Sequence, residues 1–213
     1  MNQPSPTVFL VDDEPLVLRG VSRLLRAEGF EVEAFASPGE FLVAYDPASP
    51  GCLVSDVAMP DLNGLELQQT LAGRGSELPI IFLTGRADVP MCAQAMKRGA
   101  ADFLTKPVND ADLLAAIRRA MQHDRHARRA RAERDDIRAR IASLTARERE
   151  VLNQVVTGQL NKQIASNLGT VEKTIKVHRG RVMEKMRVAS VAELARLMER
   201  FGAESRGLGF PGR

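Results

Sequence analysis

Five short apolar runs, separated by stretches of helical periodicity, constrain this chain more than any other feature. They are TVFLV (Thr7–Val11), EVEAF (Glu31–Phe35), CLVSD (Cys52–Asp56), PIIFL (Pro79–Leu83) and DFL (Asp102–Leu104). After the first run Leu16, Val17, Val21, Leu24 and Leu25 recur at helical spacing. Ser37-Pro38-Gly39-Glu40 reads as a capping box with proline at the first helical position. Strands alternating with helices predict an α/β fold, a five-stranded doubly wound parallel sheet with helices on both faces.

Two of the runs end on acids. Asp12 and Asp13 close the first strand and Asp56 closes the third. A carboxylate sealed in a core without a partner costs several kcal/mol. In a doubly wound sheet the carboxyl ends of the strands form an open edge where ligands bind, so the three acids are expected to converge there. Clustered carboxylates repel and favour a cation. Hard oxygen ligands with positions left open point to Mg²⁺, which keeps waters and bridges to phosphate. Thr84 ends the fourth strand and Lys106 follows the fifth. A nucleophilic carboxylate, a metal, a hydroxyl and a lysine make a site for phosphoryl transfer onto an aspartate.

Charge divides the chain further. Residues 1–121 carry 10 Lys/Arg against 16 Asp/Glu, residues 122–143 carry 7 against 4, and residues 144–213 carry 13 against 7. An acidic front and a basic rear suggest two domains with different partners, the rear one facing a polyanion. The expected organisation is a phosphoacceptor domain over 1–121, an Arg-rich helical linker over 122–143, a helix-turn-helix domain over 144–202 and a flexible tail over 203–213. The linker, HDRHARRARAERDDIRAR, reads as a solvated helix or a coiled-coil arm. The start, MNQPSPTVFLVDDE, lacks the basic region of a secretion signal, and no apolar stretch approaches the roughly 20 residues of a membrane span. Cys52 and Cys92 sit in apolar surroundings and read as reduced, buried thiols, which fits a cytoplasmic protein.

Behind the linker, Thr145-Ala-Arg-Glu148 is a capping box opening a helix with Val151, Leu152, Val155 and Val156. NKQIASNLG and TIKVHRGRVMEKM then read as a helix-turn-helix with a longer second helix. Ile164, Ala165 and Leu168 give the first helix its apolar face. Ile175, His178, Val182 and Met186 form the core stripe of the second, so His178 is a packing residue rather than a ligand. The opposite face carries Lys173, Lys176, Val177 and Gly180, with Arg179 and Arg181 flanking. Lysines suit guanine edges in a major groove and valine suits the thymine methyl, so these six are the expected DNA contacts. Gly180 costs about 1 kcal/mol relative to alanine in a helix. A missing side chain there lets the backbone come close to DNA.

Residues 5–121 resemble the receiver domain of two-component response regulators, through VDDE, SDVAMPDLNG, FLTG and GAADFLTKP at their spacing. The resemblance implies a flavodoxin-like receiver in which Asp56 accepts phosphate from a phosphohistidine on a cognate sensor histidine kinase. It implies Mg²⁺ held by Asp13, the Asp56 side chain and the Ala58 carbonyl, with Asp12 helping through water. Lys106 would pair with the phosphoryl group and Thr84 would move to bond it. Phe103 matches the switch aromatic that turns inward, with plain core packing as its other role. Lys106-Pro107 matches a bond that is cis in the family. Two positions depart from the pattern. Ala58 replaces what is often a longer polar side chain, leaving the path of a hydrolytic water less controlled. Ser55 replaces a usually apolar residue, and its hydroxyl needs a partner if buried.

Residues 140–202 resemble the LuxR-type (NarL/FixJ) DNA-binding domain through LTAREREVL, NKQIASNLG and EKTIKVHRGRVMEKM, and the receiver details lean to the FixJ-like branch. In that family the last helix, here Ser190 to Phe201, pairs two domains on DNA. Leu194, Leu197 and Met198 would supply the contact or complete the monomer's core. Val171 stands where relatives place a serine cap, with Thr170 as a candidate cap one position early. The resemblance implies a cytoplasmic transcription regulator that forms a homodimer on phosphorylation and binds double-stranded DNA, with RNA polymerase as a candidate further partner and no membrane. Its only chemistry is self-phosphorylation and dephosphorylation at Asp56. A receiver-controlled RNA-binding antiterminator is one alternative, but the rear domain's only aromatics are Phe201 and Phe210. A fused hydrolase or cyclase and a phosphorylation-independent DNA-binding regulator are the others.

Overall fold

The computed structural model describes residues 5–85 and 89–206. Five parallel strands, β1 (Thr7–Val11), β2 (Glu31–Phe35), β3 (Gly51–Asp56), β4 (Ile80–Thr84) and β5 (Asp102–Thr105), lie in the order β2-β1-β3-β4-β5. The helices that follow them are α1 (Pro15–Ala27), α2 (Pro38–Ala44), α3 (Gly64–Gly73), α4 (Val89–Lys97) and α5 (Asp110–Ala142). Central strands β3 and β4 are buried throughout, as covering both faces of a parallel sheet requires. Phe9, Val11, Leu53 and Phe82 point to one face and pack with Phe41, Leu67 and Leu71. Val8, Leu10, Val54 and Ile81 point to the other and pack with Leu25, Leu113 and Ile117. The alternation along β1 is the period-two signature of a strand.

Local signals set the helix starts. The Ser37 hydroxyl accepts from the Glu40 N–H, and the Glu40 carboxylate accepts from the Ala36 N–H. Asn63 and Glu66 form a full capping box on α3. The Asn109 side chain accepts from the N–H groups of Ala111 and Asp112 at the start of α5. Each cap satisfies donors that the first helical turn leaves open.

Two compact units divide the chain between Arg128 and Arg129, inside α5. The first unit reaches past the boundary expected after 121, because about two more turns of α5 are fastened to it. Asp124 is buried, and its Oδ2 accepts from the Gly51 N–H at 3.0 Å. The Arg128 guanidinium holds both Asp124 oxygens, at 2.8 and 2.9 Å. It also donates to the carbonyls of Pro47, Ala48 and Ser49. The Nε–H is thus shared between the two carboxylate oxygens while the terminal nitrogens serve the carbonyls, and such charge-assisted bonds are stronger than neutral ones.

The second unit contains the rest of α5 with α6 (Ala146–Val156), α7 (Asn161–Asn167), α8 (Glu172–Met186) and α9 (Val191–Arg206). Its core is Leu144, Val151, Leu152, Val155, Ile164, Ile175, Val182, Met186 and Leu194. The stretch expected as a helical linker is helical, but its second half is tied into this unit rather than solvated all round. Ile137 is buried, Arg140 donates to the Met186 carbonyl at 3.0 Å, and Arg200 pairs with Glu133 at 2.7 Å. Helix α9 continues to Arg206, beyond the Phe201 expected, and the tail from 207 lies outside the described residues. Cys52 is buried as expected, with burial pushing its thiol pKa up to about 12, whereas Cys92 is partly exposed.

Candidate functional site

Strand register brings the acids together. Val11 lies opposite Ser55 in the β1–β3 pair, so the next residues, Asp12 and Asp56, emerge side by side where strand order reverses. Across β3–β4 and β4–β5, Asp56 faces Leu83, and Thr84 faces Thr105. The Lys106 N–H then donates to the Thr84 carbonyl at 2.7 Å, which seats the lysine at the same edge. The Lys106–Pro107 bond is cis.

Lys106 Nζ bridges the two buried acids, 2.8 Å from Asp12 Oδ2 and 3.0 Å from Asp56 Oδ2. Asp12 is fully buried and Asp56 is 4% exposed, so neither carboxylate is balanced by bulk water. Asp12 Oδ1 accepts from the Glu14 N–H at 2.9 Å, and Asp56 Oδ1 accepts from the Ala58 N–H at 3.3 Å. Burial raises the Asp12 pKa, against the lowering pull of Lys106 and the Glu14 N–H, and the Asp56 charge adds to the rise. Burial pulls the Lys106 pKa down, but hydrogen bonds and charge from Asp12 and Asp56 more than reverse it, and the net shift is upward.

Asp13 is exposed, and single carboxylate oxygens of Asp12, Asp13 and Asp56 lie within 4.8 Å of one another. Three carboxylates against one lysine leave the edge negative, and all the donors are hard oxygens. That set fits Mg²⁺. Thr84 is 3% exposed at the end of β4. Phe103 is half-buried, with its ring 6.1 Å from that of Phe82 and packed against the aromatic side of the core. Ser55 is buried, and its hydroxyl finds its partner locally, donating to the Asp56 carbonyl at 2.9 Å.

Sequence reasoning passed over two contributors. Glu14 places Oε1 3.4 Å from Lys106 Nζ, a third acid for the same cation, and its signal was the last letter of VDDE. Gly64 lies beneath the site, where a Cβ would come 2.5 Å from the Asp56 carbonyl oxygen. Only a glycine lets α3 start so close to the end of β3.

In the second unit, Lys173, Lys176, Gly180 and Arg181 are exposed on α8, and Val177 is 50% exposed. Arg179 is half-buried, with Nη1 donating to Asn161 Oδ1 at 2.9 Å. His178 is half-buried on the core side, and its Nδ1 has no hydrogen-bond partner among the described residues. The N-cap of α8 is Val171, without a side-chain hydrogen bond, so Thr170 does not cap the helix. Leu194 is fully buried in the unit's core, which removes it from a contact surface, while Leu197 and Met198 are partly buried against that core.

A parallel sheet with carboxylates and a lysine at its switch point, followed by a helix-turn-helix unit, defines a signalling receiver joined to a DNA-binding output. The comparisons agree. Residues 8–118 match the response regulator receiver domain, and residues 142–198 match the bacterial regulatory proteins of the luxR family. The chain belongs to the two-component response regulators that carry a LuxR-type DNA-binding domain. It is 42% identical over 200 residues to the response regulator protein TmoT of Ectopseudomonas mendocina, covering 94% of this chain and 91% of that protein. It is 44% identical to nodulation protein W of Bradyrhizobium diazoefficiens over 195 residues, covering 92% and 86%. Among solved structures, the response regulator StyR superposes with a TM-score of 0.88 at 44% identity, covering 92% of this chain and 99% of that one. Full-length FixJ from B. japonicum gives a TM-score of 0.58 at 40% identity, covering 94% and 98%. Among the described residues no helix is long and apolar enough to cross a membrane.

Proposed function

We propose that this response regulator is switched by phosphorylation of Asp56 and that the switch controls dimerisation and sequence-specific binding to duplex DNA. The observation that carries the reading is the Lys106 ammonium shared between Asp12 and Asp56 at the open edge of the sheet. It leaves Asp56 partnered by a cation able to follow a phosphoryl oxygen.

In the transfer, an Asp56 oxygen attacks the phosphorus of a phosphohistidine on the sensor kinase. A P–O bond forms, the P–N bond breaks, and the histidine nitrogen leaves with the bonding pair. Asp13, the Asp56 side chain and the Ala58 carbonyl would hold Mg²⁺, with Asp12 assisting through water. When bound, the ion offsets the negative charge of the incoming phosphoryl group. Lys106 exchanges its bond to the Asp56 carboxylate for one to a phosphoryl oxygen, and Thr84 bonds another. Phe103, packed on Phe82, turns inward as Thr84 moves. The only chemistry is acquisition and hydrolysis of the acyl phosphate. The methyl of Ala58, exposed beside the site, leaves the approach of a hydrolytic water open.

The altered receiver face pairs two chains, and Leu197 and Met198 of α9 extend the pairing between DNA-binding units. Lys173, Lys176, Val177, Arg179, Gly180 and Arg181 meet the major groove, where arginine and lysine read guanine and valine reads the thymine methyl. The regulator acts in the cytoplasm, where kinase, DNA and RNA polymerase meet. The test is incubation with acetyl phosphate and Mg²⁺, followed by intact-mass measurement. One added phosphoryl group in the wild type, lost in Asp56→Asn and on chelation with EDTA, is the expected result. Equal incorporation in Asp56→Asn would overturn the assignment.

A further inference from the structure

Gly180 stands near the middle of α8, in the fifteen-residue span Glu172–Met186, and nothing inside the protein accounts for it. Its φ is not positive, so no left-handed conformation requires a glycine. A Cβ built there meets no atom within 4 Å, so no neighbouring helix requires one either. The helix runs through the position without a break. A glycine in an exposed helix interior lowers helix stability, and here no contact within the domain compensates.

The surroundings of the vacancy indicate what fills it. At helical spacing, Lys173, Lys176, Val177 and Gly180 share one face, with Gly180 about one turn from Lys176 and Val177 and about two from Lys173. Lys173, Lys176 and Arg181 are exposed, and none has an ion-pair partner among the described residues. Val177 is a half-exposed apolar side chain among them. Unpaired cations around a small apolar patch complement a groove with phosphate walls and methyl-bearing base edges.

We infer that Gly180 is a specificity-determining residue: the base-pair edges of bound duplex DNA come against the bare α8 backbone at this point, and any side chain there is excluded by shape. This rests on the reading of α8 as the groove-facing helix. The protein then selects sequence at that step through closeness of fit, with Val177 and Lys176 supplying the neighbouring contacts.

The test uses the full-length chain and duplexes selected by the wild type from a random-sequence pool. Affinity is measured for wild type, Gly180→Ala, Gly180→Ser and Lys176→Ala, alongside hydrogen exchange of the α8 amides. Gly180→Ala should slow exchange in α8 by about fivefold, the converse of the glycine penalty. It should also weaken binding by about tenfold, as one methyl forced into a close-packed contact does, and Gly180→Ser should weaken it further. Affinity unchanged or tighter in Gly180→Ala would overturn the inference while leaving the groove-facing reading intact, provided Lys176→Ala binds weakly. Weaker binding with faster exchange would also overturn it, since the loss would then come from the helix. If Lys176→Ala binds as tightly as wild type, the groove-facing reading fails and this inference with it.

Discussion

Lys106 holds two buried carboxylates with one charge, and removing it exposes what each pairing contributes. In Lys106→Ala, Asp12 and Asp56 face each other without a cation, and breaking a buried pair from one side costs about 3 kcal/mol. Urea unfolding should register that loss in the absence of divalent ions. Mg²⁺ at millimolar concentration should restore most of it, because the vacated edge is more negative and binds the ion more tightly. A variant equally destabilised with and without Mg²⁺ would show that the carboxylates do not form a cation site. Asp12, Asp56, Thr84 and Lys106 were legible in the sequence because strand ends announce themselves as acids, hydroxyls or lysines after apolar runs. Gly64 was not legible, since a glycine after an asparagine cap looks like an ordinary helix start. Its constraint is the Asp56 carbonyl, which would lie 2.5 Å from a Cβ, and that closeness exists only after folding. Gly64→Ala should therefore cost the first unit about 2 kcal/mol and slow Asp56 phosphorylation, measured by acetyl phosphate labelling at fixed time.

Among the elements, α6 and α8 are joined by an ion pair between buried Glu148 and partly exposed Lys185 that sequence patterning could not anticipate. Glu148 was read as half of a capping box, and it is one, accepting from the Thr145 N–H at 2.9 Å. The same carboxylate also accepts from Lys185 Nζ at 2.7 Å, thirty-seven residues away, with its own side chain only 3% exposed. The Lys185 hydrogen bond, then the Thr145 N–H, lower its pKa to about 2 against the usual 4.5. A carboxyl whose pKa is depressed by folding contributes stability that is complete above about pH 4.5 and disappears as pH falls through about 2. Wild type should exceed Glu148→Gln in urea midpoint at neutral pH, and the gap should close across that window when helicity is followed by circular dichroism. A gap that stays constant would assign the stabilisation to packing instead. Strands and helix starts were readable element by element, because period, caps and turns are local. The helical character of the second half of α5 was readable too, but its docking was not, because its apolar positions thin out and its anchors, Met186 and Arg200, lie far along the chain.

At the scale of the whole molecule, phosphorylation and DNA binding become measurable as mass and as salt dependence. Sedimentation with Mg²⁺ and beryllofluoride should move the wild type from monomer to dimer and leave Asp56→Asn unmoved. If neither moves, control is exerted by release of the DNA-binding unit or by assembly on DNA. The rear residues 144–213 hold 13 Lys/Arg against 7 Asp/Glu, so operator affinity should fall steeply with salt. Arg181→Ala should make the logarithmic slope shallower by about one unit if that guanidinium meets a phosphate. The clamp of Asp124 and Arg128 has a different consequence, for how such proteins can be cut and recombined. The family match to the receiver ends at 118, yet the Gly51 N–H and the carbonyls of Pro47, Ala48 and Ser49 find their partners at 124 and 128. A receiver excised at its family boundary, or grafted there onto a new output, would lose the cap on the very strand that carries Asp56. The seam at which this module can be exchanged lies one turn beyond Asp124, within a continuous helix, where a splice must also preserve helical phase.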